Sequence, residues 1–134
     1  MSDEQTRETT DILDHQNEVF VKGNVDEIMK DFSEQSLVFT PDGVLEGLDS
    51  IRKFYTEVTS NIIPPGSDFK ISRQEVRGQT AYIVWSAESK NYRFPLGTDT
   101  FFIKDGKIIV QTFAAKIEPK NKRSRSSASV LCCW

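Results

Sequence analysis

Asp105-Gly106 stands between two largely apolar runs, residues 97–103 and 107–114. A two-residue hairpin turn needs positive φ, which Gly adopts without steric cost, so this pair predicts two antiparallel strands. Residues 81–88, Ala-Tyr-Ile-Val-Trp-Ser-Ala-Glu, read as a third strand ahead of them. The first sixty residues, by contrast, read mostly as helix. Helices first and an antiparallel sheet afterwards is an α+β pattern.

The bulk numbers narrow the class. A chain of 134 residues makes one domain that buries roughly two-thirds of its unfolded surface. Its 37% hydrophobic and 28% charged residues fit a soluble globular protein. A net charge of −3 gives no electrostatic reason to bind nucleic acid or an anionic membrane. No apolar run approaches the roughly 20 residues of a membrane span. The polar opening residues carry no apolar signal region, so a cytoplasmic location is expected. The only cysteines are the adjacent Cys132 and Cys133, which cannot staple a fold.

Along the chain, residues 1–8 read as a flexible lead-in and residues 9–118 as the domain. A first helix is predicted from about Thr10 to Lys22, because Ile12, Leu13, Val19 and Phe20 form one apolar stripe. Gly23 ends it. Asn24 caps a second helix, with Glu27 placed to complete a capping box. Residues 36–40 and 44–46 read as short strands around the turn Pro41-Asp42-Gly43. Ile51, Phe54, Tyr55, Val58 and Ile62 give a third helix, stopped by Pro64-Pro65-Gly66. A strand over 68–76 and a turn at 77–79 lead into residue 81. Residues 119–134, rich in Ser, Lys and Arg, read as a disordered tail.

Polar residues fall where apolar ones are expected. The helix 1 stripe centres on Gln16, either a core amide bonded to backbone or a residue facing a cavity. His15 lies about 100° from that centre, a flank position. A two-residue turn at Asp105-Gly106 pairs Phe102 with Ile109, Thr100 with Gln111 and Thr98 with Phe113. Alternation then puts Thr98, Thr100, Gln111 and Phe113 on one face and Asp99 on the other. A bulge near Gly97 would reverse Asp99. Asp99 is the sole carboxylate within these strand cores, either a structural group or, if desolvated, a catalytic acid or base. Trp85 and Tyr55 are cavity-wall or core aromatics. One His excludes a His-rich metal site, and the carboxylates show no ligand spacing. No nucleophile elbow, phosphate loop or dinucleotide fingerprint is present, so no cofactor is expected.

Taken together, 23–28 (Gly-Asn-Val-Asp-Glu-Ile), 39–43 (Phe-Thr-Pro-Asp-Gly), 47–54, 82–85 (Tyr-Ile-Val-Trp) and 98–108 resemble, in order and spacing, the SnoaL-like group of the nuclear-transport-factor-2-like superfamily. The resemblance covers about residues 8–118. It implies a cone-shaped α+β barrel, with three helices closing a strongly bent sheet over a pocket. It also implies a homodimer through the outer sheet face, and functions from ketosteroid isomerases and cyclases to non-catalytic binding domains. By this likeness the isomerase's catalytic positions fall at Gln16, Thr40 and Thr98, and the Gln111 face lines the cavity. All three positions hold neutral side chains, which disfavours the isomerase reaction. The pocket expected is then Gln16, Thr40, Tyr55, Trp85, Thr98, Thr100, Gln111 and Phe113, around a small hydrophobic or moderately polar molecule. Two alternatives stand beside simple binding. One is a weak acid–base enzyme (isomerase, cyclase or dehydratase) using Asp99 or His15; the other is a non-catalytic dimeric association module.

Overall fold

The computed structural model describes residues 3–120. Helix α1 spans Asp3–Val21 and α2 spans Val25–Met29. Strands β1 (Leu37–Thr40) and β2 (Gly43–Glu46) lead into α3 (Gly47–Glu57), which continues as a π-helical turn over Val58–Ile62. Four long strands follow: β3 (Asp68–Arg77), β4 (Thr80–Glu88), β5 (Tyr92–Lys104) and β6 (Lys107–Pro119). They form one six-stranded sheet in the order β2-β1-β6-β5-β4-β3. β1 runs parallel to β6, and every other pairing is antiparallel. The sheet bends strongly but does not close, since β2 and β3 are its edges. The α+β cone is therefore an open one. No helix among the described residues is long and apolar enough to cross a membrane.

Helix α1 starts well before the expected Thr10 because its first turns have tertiary partners. Thr9 Oγ1 donates to Gly78 O at 2.6 Å, and Gly78 N–H donates to Thr6 Oγ1 at 3.1 Å. Thr6, within the segment expected to be flexible, is thus tied to the β3–β4 turn. Leu13, Ile28, Ile51, Ile62, Ile103 and Ile108 are almost wholly buried, each worth about 1.5–3 kcal/mol of transfer free energy. Half of the expected capping box forms. Asn24 Oδ1 accepts from Glu27 N–H at 3.2 Å, while the Glu27 carboxylate turns to His15 and Lys30 instead. At the other end β6 continues through Pro119, one residue past the expected domain boundary. Lys120 is anchored too, its N–H donating to Asn91 O at 2.8 Å. The rest of the expected tail, with Cys132 and Cys133, lies outside the described residues.

The closing hairpin forms at Asp105-Gly106, where φ is 52° and 76°, but its register corrects the sequence reading. Lys104 pairs with Lys107 and Ile103 with Ile108, and then Phe102 pairs with Val110, leaving Ile109 as an extra residue. This bulge has a cause. Ile108 N–H donates to Asp31 O at 2.7 Å, and Ile108 O accepts from Ser36 Oγ at 2.6 Å. Ile103 N–H is drawn off to Gln79 O at 2.8 Å. These groups are satisfied outside the ladder, so the ladder can slip by one. Beyond it Phe101 pairs with Gln111, Thr100 with Thr112, Asp99 with Phe113 and Thr98 with Ala114. Side-chain alternation then turns Asp99, Phe101, Gln111 and Phe113 toward the helices. Thr98 and Thr100 move to the outer face, the reverse of the simple two-residue-turn register. The bulge at Ile109 sets the parity of this pairing, and the register shifts beside Gly97 as well, between Trp85 and Ala87 on β4 and between Arg93 and Leu96 on β5.

Candidate functional site

The inner sheet face and the helices leave a cavity between them. Helix α1 contributes Gln16, Asn17 and Phe20 to it, α3 contributes Phe54 and Tyr55, and the chain around the π-helical turn adds Val58 and Ile63. The sheet supplies Phe69, Ile83, Trp85, Asp99, Phe101, Gln111 and Phe113. About 60 Å³ is open to the centre of a water-sized sphere, and about 570 Å³ is empty once the open mouth is included. One water needs roughly 10–15 Å³ by the first measure, so the cavity has room for more than a solvent molecule. The π-helical turn helps shape it. Ile63 N–H donates to Val58 O at 2.7 Å, and Thr59 Oγ1 donates to Tyr55 O at 2.7 Å. The wider turn points Val58 and Ile63 at the void.

A polar chain crosses the apolar wall. Tyr55 O–H donates to Gln111 Oε1 at 2.9 Å. Gln111 Nε2 donates to Asp99 Oδ2 at 2.8 Å, and Trp85 Nε1–H donates to Asp99 Oδ1 at 2.8 Å. Asp99 is only 8% exposed. Burial disfavours its charged form, and the Trp85 and Gln111 hydrogen bonds favour it; burial wins, and the carboxyl is pushed up to about 6. Tyr55 is raised by burial and then by the Asp99 charge, so its phenol stays neutral. Trp85 reaches Asp99 because its cross-strand neighbour is Gly97. A Cβ at Gly97 would lie 2.2 Å from the indole, so any side chain there would displace the ring.

Of the residues expected at a pocket, Gln16, Tyr55, Trp85, Gln111 and Phe113 line the cavity, and Asp99 joins them. Thr40, Thr98 and Thr100 do not. Thr40 instead closes the β1–β2 turn, donating to Gly43 O at 2.9 Å and accepting from the Asp42 and Gly43 amides at 3.2 Å. Thr98 and Thr100 were lost to the Ile109 bulge. Gln16 meets both readings at once. Its Nε2 donates to Ile28 O and to Asp31 Oδ2, each at 2.8 Å, while the side chain borders the void. His15 stays on the flank outside the cavity, between Asp31 at 2.5 Å and Glu27 at 3.2 Å. The Asp31 hydrogen bond, with Glu27 adding to it, raises its pKa against the cost of burial.

The sequence reading missed Asn17, Phe20, Phe54, Val58, Ile63, Phe69, Ile83 and Phe101 as lining residues. Phe20 had a signal, since it lies four residues beyond Gln16 on the same helical face. Phe69 had none, because it reaches the cavity through the sheet bend. Among the described residues no group of acidic, His or Cys side chains could hold a metal ion.

Solved structures share this fold at low identity, which speaks to architecture alone. An NTF2-like protein of unknown function from Mesorhizobium loti is 18% identical, with a TM-score of 0.73 over 87% of this chain and 97% of that one. The epoxide hydrolase/cyclase-like enzyme SalBIII, described for pyran ring formation in polyether salinomycin, is 19% identical. Its TM-score is 0.71 over 87% of this chain and 95% of its own. A de novo designed protein with a curved β-sheet is 17% identical, with a TM-score of 0.66 over 98% of this chain and 100% of the design. No curated protein matches the chain. The model of the SnoaL-like domain matches residues 13–111, and with the bent sheet and three closing helices in place, the chain belongs to the SnoaL-like domain family.

Proposed function

We propose that this domain binds a small, largely apolar molecule in the cavity between its helices and the bent sheet. The observation that carries the reading is one buried carboxylate, Asp99, held by Trp85 and Gln111 at the wall of an otherwise mostly apolar void. Apolar walls with a few fixed polar groups are how small-molecule sites orient a ligand. One fold carries many unrelated functions, so the reading rests on the site. The test is a thermal-shift panel of small apolar molecules carrying one polar group, run beside the cavity-filling variant Asn17→Trp. Asn17 is half-buried at the cavity wall, so the larger ring fills space without removing a core residue. Ligands should raise Tm in the parent and lose most of that effect in a folded Asn17→Trp. A panel that stabilises both equally, or neither, overturns the reading.

A second reading has an observation of its own. A carboxyl near 6 is a competent proton acceptor close to neutral pH, so Asp99 could serve acid–base chemistry on the bound molecule. The cyclase-like description of one fold relative agrees with that class. His15 is less suited, because it lies outside the cavity with both ring nitrogens engaged. A homodimer through the outer sheet face and a cytoplasmic location belong to the same proposal. Exposed Leu96, Phe102 and Tyr82 support the first.

A further inference from the structure

Six of the seven aromatic side chains of the cavity form a closed circuit. Phe20 meets Phe69 at 5.4 Å between ring centroids, Phe69 meets Trp85 at 5.5 Å, and Trp85 stacks on Phe113 at 6.2 Å. Phe113 meets Phe54 at 5.9 Å, Phe54 meets Tyr55 at 5.2 Å, and Tyr55 returns to Phe20 at 6.3 Å. All six border the same void as Asp99. Among the described residues no Lys, Arg or His lines that void, and the hydrogen-bond donors to Asp99 are the neutral Trp85 and Gln111. The carboxylate therefore has hydrogen bonds but no counter-charge. A buried ion in this condition is costly, and a cation brought by a ligand would relieve the cost. Aromatic faces attract cations as well.

We infer that the cavity takes a protonated amine bearing a small aryl or alkyl group, its ammonium on Asp99 and its apolar part among the six rings. This rests on the cavity being a ligand site, and it names the ligand class. A neutral alcohol could also donate to Asp99, but it would leave the charge unbalanced. A carboxylate ligand would be repelled.

The experiment is calorimetric titration at about pH 8, where Asp99 is ionised, with phenethylamine, phenethyl alcohol and hydrocinnamate. These are close in size and differ in charge. The amine should bind at least about tenfold more tightly than the alcohol, as a charge-assisted hydrogen bond requires, and hydrocinnamate most weakly. Asp99→Asn should erase the preference while keeping alcohol binding. In the parent protein, which needs no substitution to fold, amine affinity should fall about tenfold between about pH 7 and about pH 5 as Asp99 takes up a proton. The titratable group packed near Asp99 is Tyr55, on α3, and its raised pKa keeps it neutral across this range. Equal binding of amine and alcohol, preference for hydrocinnamate, or an amine preference that survives in a folded Asp99→Asn overturns the assignment and leaves the ligand site standing. Silence from all three while the wider panel yields ligands also overturns it. Silence from the wider panel as well overturns both readings.

Discussion

Asp99 makes the fold less stable at neutral pH than a neutral residue would, because its charge is buried without a counter-ion. Its folded-state pKa is raised from 3.8 to about 6. A raised value means that stability from this group is present below the unfolded pKa and is lost as pH rises through the folded one. The parent should therefore lose stability between about pH 4 and pH 7 through Asp99. The loss should be about 1–3 kcal/mol, since each tenfold change in proton affinity is worth roughly 1.4 kcal/mol. Asp99→Asn should remove that loss, so its Tm should exceed the parent's at neutral pH and converge with it in acid. The Asn amide fits the site once the Gln111 amide turns over, with Asn Oδ1 accepting from Trp85 and its NH₂ donating to Gln111 Oε1. A Tm difference independent of pH would show that Asp99 does not titrate in this range. That Asp99 was the residue to watch was legible in the sequence, because it is a lone carboxylate between apolar strand positions. Its direction was not legible, since strand parity depends on every residue between it and the turn. Trp85 as its partner was hidden as well, because that contact needs Gly97 directly across the strand to leave room for the indole.

Among the elements, α1 and α2 are joined by the His15 cluster rather than by apolar packing alone. His15 sits between Asp31 and Glu27, and Asp31 also holds Gln16 at the edge of the cavity. The His15 pKa is raised from 6.5, so its stabilisation is complete below that value and fades as pH rises through the folded-state pKa. His15→Ala should accordingly cost more in mildly acidic than in alkaline solution, up to about 1 kcal/mol because water screens a pair that is about a third exposed. The measurement is Tm of variant against parent at each pH, which cancels the Asp99 contribution. A cost that grows with pH would contradict the pairing. The same scale shows where local pattern stops informing. The α1 stripe and the Asp105-Gly106 turn are visible because each is set by residues within one or two turns of chain. The Ile109 bulge is invisible because it is set by Asp31 O and Ser36 Oγ, more than seventy residues away. One such contact moved Thr98 and Thr100 out of the cavity and brought Asp99 in.

At the scale of the whole molecule the sheet has two unlike faces, and among the described residues the helices cover the inner one. The outer face carries Thr98, Thr100 and Thr112 in cross-strand rows with Tyr82, Val84 and Ala114. Leu96 is 54% exposed and Phe102 36%. Such a surface, apolar and hydroxyl-bearing with few charges in its centre, suits a second copy of the sheet. Phe102 is the position to change, because it points away from the cavity while its neighbour Phe101 lines the wall. Phe102→Glu places a charge in a patch that would be desolvated on association, and should weaken a dimer by about 100-fold or more. Sedimentation equilibrium should show the parent as a dimer at micromolar concentration and the variant as a monomer. Ligand-induced thermal shifts should survive in that monomer, because the cavity opens on the face of the sheet opposite Phe102. A parent that is already monomeric at this concentration would contradict the dimer. A monomeric variant that loses ligand would instead mean that association holds the bent sheet open, and the two faces would then be one device rather than two.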